Sequence, residues 1–325
     1  MRRIFSCILL LIFLLSTPRV YAAMPSLQEE QLIKLLTQII ILLQEQLRLL
    51  QARHAITLQT SPPSEAIVYL RCRYAPKNGA GEEVALRGTG VTINPEGQIL
   101  TVRHLVDPLW AAQSYPNDPN TSLYHTIGEG YISNGCEVST ISALLPSSQE
   151  IKTINPRISA GSPQYEAVLS FVPQKDTMSD EEYASVDFAL LKTVRIFECA
   201  TCALPRTFPH VVIRTTPEAG TPELVSYGYP IEGPPSNVPF LKGAVGNLVK
   251  YFSGNARFAN TPFLFEWTAN DSRQGRSGSP IFSLGKLIGI EIGATENNVT
   301  QNYALGMPAI HSILTAHGAA TSTVK

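Results

Sequence analysis

Between residues 66 and 292 the chain is divided into short apolar runs punctuated by Gly, Pro and Asn, and this punctuation limits the fold more than any other feature. The runs are Ala66 to Tyr74, Val84 to Ile93, Gln98 to Val102, Tyr165 to Val172, Phe188 to Val194, His210 to Arg214, Glu223 to Tyr229, Gly243 to Phe252, Phe263 to Thr268 and Lys286 to Ile292. Strands of this length at this spacing predict an all-β sandwich or a pair of barrels rather than βαβ units. The 325 residues suffice for one large domain or two smaller ones. Residues 108–184, rich in Pro, Ser, Asn and Tyr, interrupt the pattern and are expected to be elaborated loops. A formal net charge of −1 gives no field that would gather nucleic acid.

The N-terminus has a different texture. Arg2 and Arg3 precede an apolar stretch from Ile4 to Leu15, too short to span a bilayer comfortably, and small residues follow at Ala22 and Ala23. This predicts a secretory signal peptide over 1–23, with an uncleaved anchor as the alternative. Residues 24–59 carry a helical pattern, clearest over 27–52. With Leu36, Leu43 and Leu50 at position a of a heptad, d holds Leu32, Ile39 and Gln46, e holds Ile33, Ile40 and Leu47, and g holds Leu35, Leu42 and Leu49. A face this wide exceeds a two-stranded seam. It fits a homo-oligomeric bundle or docking to another surface, the alternative being a helix packed on its own domain. Lys34, Gln38, Gln44, Glu45 and Arg48 exclude a membrane span. Residues 60–65 then read as a linker. In an exported chain that has lost Cys7, Cys72, Cys136, Cys199 and Cys202 can form disulfides in three pairings. Cys199 and Cys202 have the spacing of a redox or metal motif, but no histidine is near, and a structural role is expected.

Three segments carry chemistry. In "GTGVTINPEGQILTVRHLVDP", residues 88–108, a strand delivers His104 at its end, where a rigid element can aim a general base into a cleft. In "SVDFALLKT", residues 185–193, Asp187 opens an apolar strand and can orient an imidazole through its ring N–H. In "NDSRQGRSGSP", residues 270–280, glycines flank Ser277, and an apolar strand-like run, Ile281 to Ile292, follows. Glycines there let a hydroxyl and neighbouring amides converge on one point. Each residue alone has an ordinary structural explanation. Together, in the order His104, Asp187, Ser277, they form one of the known chain orders of a Ser-His-Asp triad.

These motifs, Gly88-x-Gly90 with Ile99-Leu-Thr-x-x-His104, Asp187-x-Ala-Leu-Leu191, and Gly275-x-Ser277-Gly-x-Pro280 with Leu287-Ile-Gly-Ile290, resemble those of the trypsin-like (chymotrypsin-fold) serine proteases. The similarity is greatest to the exported bacterial HtrA-type and glutamyl-endopeptidase-type enzymes, here without a PDZ domain. It covers roughly residues 65 to 315, apart from most of 108–184. The resemblance implies a mainly β protein of two six-stranded antiparallel barrels, the first over 66–204 and the second over 205–316, preceded by the long amphipathic helix and followed by a tail over 317–325. It further implies an endopeptidase with His104 as base, Asp187 as its orienter and Ser277 as nucleophile. Gly275 and Ser277 would supply the oxyanion-hole amides, and Glu291, Ile292 and Gly293 a strand that pairs with the substrate. It implies protein or peptide substrates and neither cofactor nor metal.

Arg276 departs from the digestive enzymes, which carry an aspartate before the nucleophile to receive a new N-terminal amine. Arginine cannot accept that pair, so something else must hold the oxyanion turn, a carboxylate bridged to Arg276 being the expectation. Asp271, six residues before Ser277, matches the position that favours Lys or Arg before the scissile bond. It can equally pair with Arg273 or Arg276, leaving small or aliphatic residues as the alternative preference. Against the protease stand two other readings: a protease-like binding module without activity, and a structural protein assembled through its heptad helix.

Overall fold

The computed structural model describes residues 31–32, 34–46, 62–199, 201–231, 239–251, 264–269, 275–295 and 298–317. The chain divides into two compact units, Met1–Gln59 and Thr60–Lys325. In the first, residues 31–32 and 34–46 are helical (α1). The described apolar side chains Leu35, Leu36, Ile39, Ile40, Ile41, Leu42 and Leu43 are 37% to 63% exposed. The signal-peptide stretch 1–23 and the outer parts of the heptad pattern lie outside the described residues.

The second unit contains two antiparallel barrels. Strands β1 (Ile67–Pro76), β2 (Val84–Thr92), β3 (Gln98–Thr101), β4 (Tyr131–Ser139), β6 (Tyr165–Phe171) and β7 (Ala189–Ile196) close in the order β1-β2-β3-β7-β6-β4. The second ring runs β10 (Leu264–Thr268), β13 (Asn298–Gly306), β12 (Lys286–Thr295), β11 (Pro280–Ser283), β8 (Glu223–Gly228) and β9 (Phe240–Tyr251), and β9 returns to β10 to close it. The two-residue strand β5 (Ile158–Ser159) adds to β9 from outside the ring. Two closed six-stranded barrels are the architecture that the resemblance to trypsin-like proteases implies, and closure leaves neither barrel a full open edge. Strand β1 buries every second residue from Val68 to Tyr74, as the pleat demands, and these residues join the buried hydrophobic core to which Ile99, Leu100, Leu190 and Leu191 of β3 and β7 also belong.

Four expectations need correction. His210 to Arg214 is not a strand: it contributes a single parallel bridge, Ile213 to Leu287, within the connection between the barrels. The run Ile281 to Ile292 is not continuous, because Leu284 and Gly285 both take positive φ (48° and 74°) and turn the chain from β11 into β12 as a two-residue hairpin. Residues 108–184 are more than loops. They contain helices α2 (Pro108–Ser114), α3 (Thr121–Gly130), α4 (Ser148–Thr153) and α5 (Asp180–Ser185), and also β4, a full member of the first barrel. Strand β4 escapes the pattern because its first half, Tyr131 to Gly135, buries no residue on either face and includes Ser133, Asn134 and Gly135, the last at φ 81°. Finally, the runs named from the sequence leave out β13, which lies with helix α6 (Met307–Ala316) inside the 205–316 stretch expected for the second barrel.

The cysteines pair as Cys72–Cys136 and Cys199–Cys202. The first joins β1 to β4 at a point where the two residues are register partners. The second closes a tight loop just after β7, so the spacing that suggested a redox or metal motif holds a local disulfide.

Candidate active site

The first barrel presents its acid and base at neighbouring strand ends. After β3 the chain is extended at Val102 and then makes one 3-10 turn, Arg103–Leu105, which lifts His104 off the sheet. Helix α2 starts immediately: Asp107 caps it by accepting from the Trp110 amide, and Pro108 sits in its first turn. Arg103 locks the turn. Its guanidinium donates to Asp107 (2.7 and 2.9 Å), to the Pro173 carbonyl (3.1 Å) and to the Tyr183 hydroxyl (2.6 Å), and lies over the Trp110 and Tyr183 rings. Tyr183 is on α5, which is capped by the reciprocal Ser179–Glu182 box and ends two residues before Asp187. One buried cation therefore fixes the segments that carry His104 and Asp187.

Asp187 is fully buried and engages His104 twice. Its Oδ1 accepts from the His104 backbone amide at 3.0 Å, and its Oδ2 accepts from Nδ1 at 2.7 Å. A carboxylate can only accept, so the proton resides on Nδ1 and the Nε2 lone pair is left for other partners. Two tyrosines from the 108–130 hairpin flank the imidazole, Tyr115 edge-on and Tyr124 tilted, each with ring centroids at 6.1 Å. Burial first, then the charges of Asp118 and Asp187, push the Tyr124 phenol well above its ordinary value and keep it neutral.

The second barrel contributes Ser277 from the turn that opens β11. Gly275 (φ 89°) and Gly278 (φ 83°) adopt the left-handed conformation, and a Cβ on Gly278 would lie 2.1 Å from the Thr89 carbonyl oxygen. The first barrel holds this turn through Thr89 of β2. The Thr89 amide donates to the Ser277 carbonyl (2.9 Å), its Oγ1 donates to the Gly275 carbonyl (3.4 Å) and accepts from the Tyr229 amide (3.0 Å), and its carbonyl accepts from Thr101 Oγ1 (2.7 Å). Gly88 explains the approach: a Cβ there would meet Leu105 at 2.3 Å and the Ser277 carbonyl at 3.0 Å, so the neighbours of His104 and Ser277 converge on it. Ser277 is half-buried, and among the described residues no hydrogen bond joins its hydroxyl to His104. Such bonds are commonly long before substrate is bound.

Beneath the turn lies the carboxylate expected to bridge to Arg276. Arg276 is wholly buried, with Nη1 donating to the Lys242 carbonyl (3.1 Å), Nη2 donating to Ser226 Oγ (3.0 Å), and Nε 3.5 Å from Glu291 Oε2. That last contact is an ion pair too long for a good hydrogen bond, which is why the same two atoms have no hydrogen-bond partner among the described residues. Glu291 also commits its backbone to the turn, donating to the Ser279 carbonyl (2.9 Å) and accepting from the Gly278 amide (2.8 Å). Of the three residues expected to face substrate, Glu291 therefore points beneath the turn. Ile292 is buried at a bulge where β12 slips against β13, and among the described residues nothing lies within 4 Å of where a Cβ on Gly293 would stand. β11 pairs with β12 only as far as Ile290. Asp271 lies outside the described residues, and no group of His, Cys, Asp and Glu among the described residues could hold a metal ion.

Sequence reasoning missed Tyr115, Thr89 and Arg103. Thr89 had a signal, being the residue between Gly88 and Gly90. Tyr115 had none, since it sits in the segment without recognisable strand pattern.

No family model matches the chain, and no curated protein matches it. Similar solved structures include the active form of the Rv3671c protease from M. tuberculosis, 19% identical with a TM-score of 0.45, covering 83% of this chain and 86% of that one. The inactive form of that protease is 18% identical with a TM-score of 0.46, over 81% of this chain and 93% of that one. Deg5 is 14% identical with a TM-score of 0.45, over 82% and 96%.

Proposed function

We propose that the chain is a serine endopeptidase that hydrolyses peptide bonds through an acyl-enzyme. The observation that carries this reading is the buried Asp187 gripping His104 by both its amide and Nδ1, beside a serine turn stitched to the same barrel. In the proposed reaction His104 Nε2 takes the Ser277 proton as the serine oxygen attacks the carbonyl carbon. The negative charge that develops on the carbonyl oxygen is met by the amides of Gly275 and Ser277, each such donor typically contributing about 3 to 4 kcal/mol. His104 then returns the proton to the leaving amine, and water repeats the sequence on the ester. An extended substrate can add to β12 beyond Glu291, whose amide and carbonyl are taken by the serine turn, and at Gly293 no atom of the described residues stands where a Cβ would be. Its substrates are proteins or peptides. A preference for Lys or Arg before the scissile bond rests on the position of Asp271 alone. Export rests on the N-terminal sequence, and self-assembly on the heptads and exposed apolar face of α1.

Labelling with a fluorophosphonate tests the activity without knowledge of the substrate. Attack of Ser277 on phosphorus expels fluoride, and the serine proton passes to His104. Wild type is expected to label, whereas Ser277→Ala and His104→Ala are not. A folded wild-type protein that takes no label removes the enzyme reading and leaves the binding-module and structural-protein readings.

A further inference from the structure

We infer that Tyr115 is a positioning residue for the candidate triad, fixing and moderating the Asp187 carboxylate from outside both barrels. The inference rests on the protease reading for its consequence and on geometry for its substance. Tyr115 Oη donates to Asp187 Oδ2 at 2.8 Å, and this is the oxygen that accepts from His104 Nδ1 at 2.7 Å. Asp187 Oδ1 is occupied by the His104 amide. Three donors thus fix the plane of a fully buried carboxylate, and only one of them belongs to the imidazole ring.

Tyr115 is itself held rigidly. Its amide donates to the Ala111 carbonyl at the end of α2, and its carbonyl accepts from Thr121 Oγ1 at the start of α3. Its ring stands at 90° to Trp110, with centroids 5.7 Å apart, and the Trp110 indole donates to the Tyr183 carbonyl. The 108–130 hairpin therefore delivers one hydroxyl to the acid and one ring edge to the base.

A donor on Oδ2 draws off part of the carboxylate charge, and less charge remains to stabilise the imidazolium. Without the hydroxyl the carboxylate is held less firmly and acts more strongly on the ring. Among the described residues the ionisable groups around His104 are Asp187 at the head of β7, Tyr115 and Tyr124 on the hairpin, and, one layer behind, Asp118 on the hairpin, Arg103 and Asp107 on its own segment and Tyr74 on β1. On the second barrel Arg276 is turned away into its own interior.

The test is Tyr115→Phe in the full chain, which keeps the ring packing and removes only the oxygen. The rate of fluorophosphonate labelling is followed from acid to alkaline pH. The plateau is expected to fall roughly three- to tenfold and the midpoint of the acid limb to move to higher pH. A merely structural role would lower the plateau and leave the midpoint in place, and that result overturns the inference. An NMR titration of the His104 ring in both proteins reads the same displacement without any reaction. Unmoved, it rejects the inference even in a protein that labels; a wild type that does not label rejects the protease reading, and the titration still decides on Tyr115.

Discussion

Replacing Glu291 by glutamine keeps the shape of the side chain beneath the serine turn and deletes its charge. Arg276 cannot respond by losing its proton, because a guanidinium stays charged in proteins. Its charge is then held by the Lys242 carbonyl and Ser226 Oγ alone, at 0% exposure. With an effective dielectric constant of about 20, opposite charges 3.5 Å apart attract by roughly 5 kcal/mol, and orphaning one member of a buried pair typically costs about 3 to 5 kcal/mol. For a unit of this size each kcal/mol is worth about 2 to 4 °C, so Glu291→Gln is expected to melt roughly 6 to 20 °C below wild type by calorimetry. The labelling rate of Ser277 should fall in parallel at temperatures where the variant is still folded, because the Gly278 and Ser279 contacts to Glu291 belong to the same turn. The double variant Arg276→Met with Glu291→Leu removes both charges and should recover most of the melting temperature, since apolar replacement of a buried pair is often neutral or better. If Glu291→Gln melts within about 2 °C of wild type and labels at the wild-type rate, the pair does not brace the turn.

Two further outcomes follow from burial and from exposure. Tyr74, Tyr124, Tyr227 and Tyr229 are each raised above the ordinary 10.0, chiefly by burial. Above about pH 10 the unfolded chain releases protons that the folded chain retains, so stability falls as pH rises, by up to about 1.4 kcal/mol per pH unit for each tyrosine. Tyrosinate absorbance and loss of circular dichroism should therefore rise together; ionisation of these four near pH 10 with the fold intact would contradict it. A chain beginning at Thr60 should have a smaller assembly mass by light scattering than one carrying α1, whose heptads present a wide apolar face; equal masses would remove α1 as the assembly element.

The legible parts of this protein were those in which one residue reports its own environment. Asp187 before an unbroken apolar strand, His104 past Ile99-Leu-Thr, and Ser277 between glycines each carry a local pattern. The barrels were legible where buried and less buried residues alternate, as in β1 from Val68 to Tyr74, and illegible in β4, whose first half buries nothing. Arg276 announced a missing partner, but its identity depended on β12 folding back under the turn, a contact across 15 positions of sequence and one hairpin. Tyr115 was beyond reach for a different reason. Its hydroxyl meets Asp187 72 residues away, in a segment whose path is set by the Arg103 and Trp110 contacts rather than by any periodicity.

Thr89 belongs to one barrel and the Ser277 carbonyl it grips to the other, so neither barrel alone carries all three residues of the proposed triad. The segment between β7 and β8 crosses the surface beyond the Cys199–Cys202 disulfide, with Ala203, Pro205, Arg206 and Thr207 exposed. A break introduced there would yield two fragments that are inert apart and competent only once joined across the Thr89 seam. Hydrolysis by this protein would in that form report on the meeting of any two molecules to which the halves were fused.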